Sequence, residues 1–187
     1  MKSLYYTIID STPFKALLVL NDQGALMYAS IGKDAMELCK KLVEEFKPKR
    51  EYQLQPLSTL SDRSLVKESI EKFEKLMNNP GKETINTIPV EFIFGTQLQQ
   101  RIWRELMKIP PGKTKHYGEI ADSMKLSPGS SRVVGNGCGS NKIAVVVPCH
   151  RVIALSGKLN GYKWGIEVKR HLLKSELGSD YSFIVTD

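Results

Sequence analysis

The chain has 187 residues, a quarter of them charged, and a formal net charge of +7 at neutral pH, which suits one ordinary soluble domain or two small ones sharing an interface. No apolar run approaches a membrane span of about 18 residues, and residues 1–10 have neither the basic start nor the apolar core of a signal peptide. Cys39, Cys138 and Cys149 show no pairing pattern, which argues for a reducing compartment over a disulfide scaffold, and His116, His150 and His171 are not spaced as a metal-ligand set.

The first half reads as α/β. Leu4 to Ile9 and Ala16 to Leu20 have the composition of strands, and Asn21-Asp22-Gln23-Gly24 signals a turn before a third strand over Ala25 to Ile31. Asp34 with Glu37 resembles a capping box, and Leu38, Leu42, Val43 and Phe46 give the following helix an apolar stripe that Pro48 ends. Glu51 to Gln55 suggests a short strand. A second helix follows Asp62, with Val66, Ile70, Phe73 and Met77 on one face. These residues are explained as core. Lys47-Pro48-Lys49-Arg50 reads as basic charge favoured at a helix C-terminus more than as a nuclear address. A polar linker from Asn78 to about Thr87 divides the chain into 1–87 and 88–187.

Charge divides with it. Residues 1–95 hold 13 Lys/Arg against 13 Asp/Glu, whereas residues 96–178 hold 14 against 5. A basic half beside a neutral one suggests a polyanion-binding surface, with solvated lysines kept for solubility as the other reading.

In the second half Val90 to Phe94 is apolar and leads into Gly95. Thr96 with Gln99 forms a second capping box, and Leu98, Ile102, Trp103 and Leu106 mark a helix that stops at Pro110-Pro111-Gly112. A short helix fits Tyr117 to Met124. Ser127-Pro128 supplies an N-cap and an N1 proline for another, from Gly129 to about Gly137, and the pair makes a helix-turn-helix. The second helix is nearly bare. Ser130, Ser131, Gly135, Gly137, Gly139 and Ser140 leave Arg132 as its only long side chain. Such a surface suits close helix packing, or a helix pressed against nucleic acid with one arginine protruding.

Ile143 to Val147 reads as a buried strand that Pro148 ends, since proline has no N–H to donate. Cys149 and His150 follow directly. A cysteine beside a valine run is ordinarily a small buried hydrophobe. Neighbours on a regular strand point to opposite faces, so a thiol and an imidazole that cooperate need a bent backbone, which proline supplies. After the Ser156-to-Gly161 loop, Tyr162, Lys163 and Trp164 precede a helix from Glu167. There Val168, Leu172 and Glu176 share a face, and the carboxylate invites either solvent or a buried partner.

Pro148-Cys149-His150-Arg151-Val152, with Tyr117-Gly118-Glu119-Ile120-Ala121, Arg132-Val133-Val134-Gly135, Gly139-Ser140-Asn141 and Gly161-Tyr162, resembles the O6-alkylguanine-DNA alkyltransferase family over about residues 90–177. The resemblance implies an α/β N-terminal domain of ribonuclease-H-like layout and a mostly α C-terminal domain with a winged-helix-like helix-turn-helix. It implies irreversible, once-per-molecule transfer of an alkyl group from guanine O6, and secondarily thymine O4, to Cys149 after the nucleotide is flipped out of duplex DNA. His150 would take the thiol proton through a water, and Glu176 would orient and charge-stabilise the imidazole. Asn141 would brace the active-site turn, and Tyr117 would donate to guanine N3. Val152, Tyr162, Lys163 and Trp164 would shape the base pocket, with Trp164 narrowing it. Arg132 would fill the vacated stack, helped by Ser131 and Gly135, and Arg101, Lys115, Lys125 and Lys142 would contact phosphates. No cofactor and no metal are implied, because the zinc ligands of some relatives are missing here. Double-stranded DNA is the implied partner, met in the nucleus by a monomer that can bind cooperatively, and no membrane is involved. Two other readings fit parts of the pattern: a non-catalytic binder of damaged guanine, and a cysteine hydrolase built on Cys149, His150 and Glu176.

Overall fold

The computed structural model describes residues 1–79 and 88–186, so most of the expected linker lies outside the described residues. Strands β1 (Lys2–Ser11), β2 (Phe14–Leu20), β3 (Leu26–Gly32) and β4 (Tyr52–Pro56) form one sheet in the order β3-β2-β1-β4. The β1/β2 and β2/β3 pairs are antiparallel, and β4 joins β1 in parallel. Helix α1 (Ala35–Phe46) packs on β2 and β3, and α2 (Ser64–Asn78) packs on β1.

Local chemistry sets these boundaries. The Asp34 carboxylate accepts from the Glu37 N–H at 2.8 Å and caps α1. Leu38, Leu42 and Phe46 of α1 are buried, but Val43 is 65% exposed and leaves the expected stripe. Residues Ala16 to Leu20 of β2 are buried on both faces, as a central strand covered on two sides must be.

The second half holds α3 (Gln97–Leu106), the two-residue strands β5 (Lys115–His116) and β6 (Val152–Ile153), and four more helices: α4 (Tyr117–Ser123), α5 (Ser131–Gly139), α6 (Ile166–Leu177) and α7 (Tyr181–Ile184). Thr96 and Gln99 close both halves of the predicted capping box on α3. The Ser127-Pro128 cap does not form. Ser127 to Ser130 is instead a turn in which the Ser130 N–H and hydroxyl both donate to the Ser127 carbonyl, and Gly129 takes φ +82°, so α5 begins at Ser131.

The halves are joined through β3. Leu26 pairs with Val90 and Ala29 with Ile143, and one buried apolar cluster runs continuously from the sheet to α6.

The run Ile143 to Val147 is not a strand. Only Ile143 bridges to β3; Val146 then donates back to the Ala144 carbonyl at 2.8 Å, and Val145 sits at φ +67°. A β-branched residue there is strained by about 1–3 kcal/mol. Full burial of Ala144 to Val147 holds the turn, with Asn141 bonding across it. Apolar composition secured the burial but not the pairing partner, and with one edge residue engaged the backbone was free to turn.

Candidate active site

The strained turn delivers Cys149 to Arg151 as one turn of 3-10 helix, the bent backbone that a cooperating thiol and imidazole require. Asn141 spans the turn. Its side-chain amide donates to the carbonyls of Ile143 and Val147 and to Cys149 Sγ at 3.3 Å, while its oxygen accepts from the Ile143 N–H.

Cys149 lines a small recess of about 60 Å³ together with Tyr117, Gly135, Cys138, Tyr162 and Lys169. Burial pushes its thiol upward. The Asn141 hydrogen bond and the Lys169 and Lys163 cations pull the other way without cancelling it. Lys169 is wholly buried, bonds the Val152 carbonyl at 2.8 Å, and is the cation nearest in kind to a counter-charge for a thiolate. Burial also raises the Tyr117 hydroxyl to about 12, helped by the adjacent thiols. The Tyr162 hydroxyl is buried and faces the Cys149 sulfur without an aligned hydrogen bond.

Behind the thiol lies a buried ionic cluster. His150 Nε2 meets Glu176 Oε1 at 2.8 Å, and Arg151 grips both oxygens of the same carboxylate at 2.8 Å while donating to the Ile109 carbonyl. The Glu176 side chain is only 1% exposed, so the buried-partner alternative holds and the solvated one does not. Burial alone would raise its carboxyl, but the charges and hydrogen bonds of His150 and Arg151 more than offset this and hold it at about 2. His150 is shifted down, first by burial and then by Arg151, against the pull of Glu176. The ring is therefore neutral at neutral pH, and its Nδ1 has no partner among the described residues.

A second, open cleft of about 350 Å³ adjoins this recess, lined by Tyr117, Ser131, Arg132, Gly135 and Asn160. Tyr117 and Gly135 line both spaces. Helix α5 divides its glycines between them and the core. A Cβ on Gly137 would stand 2.7 Å from Ile102, so close packing against α3 explains that position. Gly135 and Gly139 meet no such crowding, and Arg132 is exposed.

Other expected positions fall elsewhere. Trp164 lines a cleft beneath α1 with Tyr28 and Glu45, and is not among the residues lining the Cys149 recess. Both backbone groups of Val152 are engaged, the N–H by Cys149 and the carbonyl by Lys169. Lys142 is engaged within the protein, where Glu45 chelates its ammonium at 2.5 and 2.6 Å. Arg101 and Lys125 are exposed and Lys115 half-buried, and none of them lines the Arg132 cleft. Sequence reasoning gave no role to Arg151 or Lys169. The signal for Lys169 was its place seven residues before Glu176, two turns along the same face of α6.

Residues 97–178 match the family described as "6-O-methylguanine DNA methyltransferase, DNA binding domain". The methylated-DNA–protein-cysteine methyltransferase of Lodderomyces elongisporus is 45% identical over 100% of this chain and 99% of its own length. That of Candida albicans is 46% identical over 94% and 98%. Among solved structures, Mycobacterium tuberculosis OGT in complex with DNA is 32% identical, with a TM-score of 0.70 over 92% of each chain. Identity of this extent, along the whole length, makes the chain a member of the methylated-DNA–protein-cysteine methyltransferase family.

Proposed function

We propose that the protein repairs duplex DNA by moving an alkyl group from guanine O6, and secondarily thymine O4, onto Cys149. The observation that carries this reading is a thiol lining a recess beside the glycine-bearing face of α5, with a neutral imidazole buried against an ionised carboxylate in the next residue position. Cys149 Sγ attacks the alkyl carbon; the S–C bond forms as the C–O6 bond breaks, and the electron pair stays on guanine. The thiol proton passes through one water to His150 Nδ1, the ring atom that the Glu176 bond leaves free. Glu176 stabilises the resulting imidazolium, and Arg151 keeps the carboxylate from taking the proton itself. Lys169 and the Asn141 amide offset the developing sulfur charge. Tyr117 donates to guanine N3, while Tyr162 and the Lys163 backbone bound the base.

Guanine O6 inside a stack is out of reach, so the nucleotide is extruded past Tyr117 and Gly135, with Arg132 entering the gap. Helices α4 and α5 act as a helix-turn-helix laid in the minor groove, with Ser131 and Gly135 close to the backbone and Arg101, Lys115 and Lys125 on phosphates. The β3-β2-β1-β4 order supports a ribonuclease-H-like reading of residues 1–87, with 88–187 as the reactive domain. The protein works as a monomer in the nucleus and is spent after one transfer, since a thioether leaves poorly.

The test is to weigh the intact protein after incubation with an O6-methylguanine duplex. A gain of about 14 Da, one methylene, is expected, and Cys149→Ala should abolish it. Tight binding with no gain leaves a damage-binding module, and repeated turnover of an acyl ester would favour a cysteine hydrolase.

A further inference from the structure

The N-terminal half supplies core, yet one of its carboxylates reaches the active-site turn. Glu45 stands in the last turn of α1, where the helix dipole disfavours an acid and no basic residue of the same turn offsets it. Its partner comes from the other half of the chain: both carboxylate oxygens bind Lys142 Nζ, at 2.5 and 2.6 Å. We propose that Glu45 is a positioning residue for alkyl transfer, which through Lys142 holds the turn that presents the Cys149 sulfur.

Lys142 is fixed at both side chain and main chain. Glu45 tethers its ammonium, and its carbonyl accepts from the Ala29 N–H of β3 at 2.9 Å. The Ala29 carbonyl in turn accepts from the Ala144 N–H at 3.0 Å. These contacts set the backbone on which Asn141 starts. From there the Asn141 amide spans the turn, to the Ile143 and Val147 carbonyls and to Cys149 Sγ at 3.3 Å. The turn needs such a hold. Val145 at φ +67° is strained, and a strained residue persists only where its surroundings over-determine it. Burial of Ala144 to Val147 packs the turn, but apolar packing is non-directional and does not aim an amide at a sulfur. The ion pair and the Ala29 bonds are directional.

A second ion pair between the halves supplies the contrast. Lys33 meets Glu167 of α6 at 2.6 Å, but both side chains are 66% exposed and both residues lie outside the turn. The Lys142 and Glu45 side chains are 22% and 26% exposed, where salt screens a pair less. Lys163 also donates to Glu45, at 3.4 Å, so the effect that belongs to the turn is the one shared by loss of Glu45 and loss of Lys142.

The inference rests on Cys149 as the alkyl acceptor. Its test is single-turnover transfer from an O6-methylguanine duplex, read as mass gain of the full-length protein over a range of protein concentrations. Glu45→Ala and Lys142→Ala should each lower the maximal rate on the order of tenfold, since a misplacement of about 1 Å costs on the order of a hundredfold. The half-saturating concentration should stay within about twofold. The double variant should be no slower than either single one, because both remove the same link. Lys142→Arg keeps a two-pronged grip on the carboxylate and should stay near the wild-type rate, and Lys33→Ala should leave rate and half-saturation unchanged. Unchanged maximal rates in Glu45→Ala and Lys142→Ala, losses that multiply in the double variant, or an equal loss in Lys33→Ala would each overturn the positioning role and leave Cys149 as acceptor. No mass gain by the wild-type protein overturns the reading of Cys149 and the positioning role together.

Discussion

The Cys149 recess and the Arg132 cleft share Tyr117 and Gly135, and differ in most other respects. The first is small and backed by buried charge: Lys169 and Arg151 are fully buried, and Glu176 is ionised out of water. The second is open, shallow and lined by an exposed arginine on a helix of small residues. Buried charges must be partnered to be tolerated, and those behind the recess are: Glu176 by His150 and Arg151, and Lys169 by the Val152 carbonyl. An exposed cation on a smooth helix carries no such constraint and can meet a backbone of any sequence. On the proposed function, chemistry belongs to the first space and grip to the second, and Tyr117 lines both.

Breaking the charge cluster should give the largest effect. Glu176→Gln removes the anion facing His150 and leaves Arg151 buried beside a neutral amide. Transfer should slow on the order of a hundredfold on free base and duplex alike. Folding should also lose about 3 kcal/mol, visible as a lower urea midpoint. A loss confined to duplex substrate would mean that the cluster serves DNA binding instead.

The same cluster sets the pH response. His150 must be neutral to take a proton, and its folded-state value lies below the ordinary 6.5 because of burial. Transfer should therefore stay at its plateau as pH falls through 6.5 and decline only below it. An acid limb centred above 6.5 in single-turnover rates would contradict a desolvated ring.

Arg132→Ala sharpens the contrast from the other side. Duplex repair should fall roughly tenfold, the scale of losing support for an unstacked base, while reaction with free O6-benzylguanine should change by less than about twofold. Equal losses on both would remove the extrusion role and make the cleft part of the chemical site.

How much of this was legible in the chain depended on whether the deciding interaction was local. The capping residues Asp34 and Thr96 act within one helical turn, and both were readable. Spacing put Glu176 on an apolar face four residues from Leu172 but left solvent and a buried partner both open, and only the family resemblance pointed to His150. The valine run was not readable. Its composition suits a central strand, and only the tertiary choice to pair Ile143 alone with Ala29 released the rest into a turn. The Glu45 tether spans 97 residues to Lys142 and 118 to Lys163, beyond any periodicity. Ser127-Pro128 failed for the opposite reason: a cap signal was present, but Gly129 at φ +82° favoured a turn first.

The smallest effect concerns single phosphate contacts. Lys125 is exposed, has φ +54° in the turn leaving α4, and lies on the basic half of the chain. A lysine that neutralises one phosphate releases about one counterion, so Lys125→Ala should lower the slope of log affinity against log salt by about 1. The binding loss should be nearly the same for methylated and unmethylated duplex, because the contact precedes and ignores the lesion. Lys142→Ala is the matched comparison: its ammonium is already chelated by Glu45, so its removal should leave the salt slope unchanged. If Lys142→Ala lowered the slope as much as Lys125→Ala, the ion pair at Glu45 would have to open on DNA. The N-terminal half would then release its hold on the active-site turn at the moment of binding.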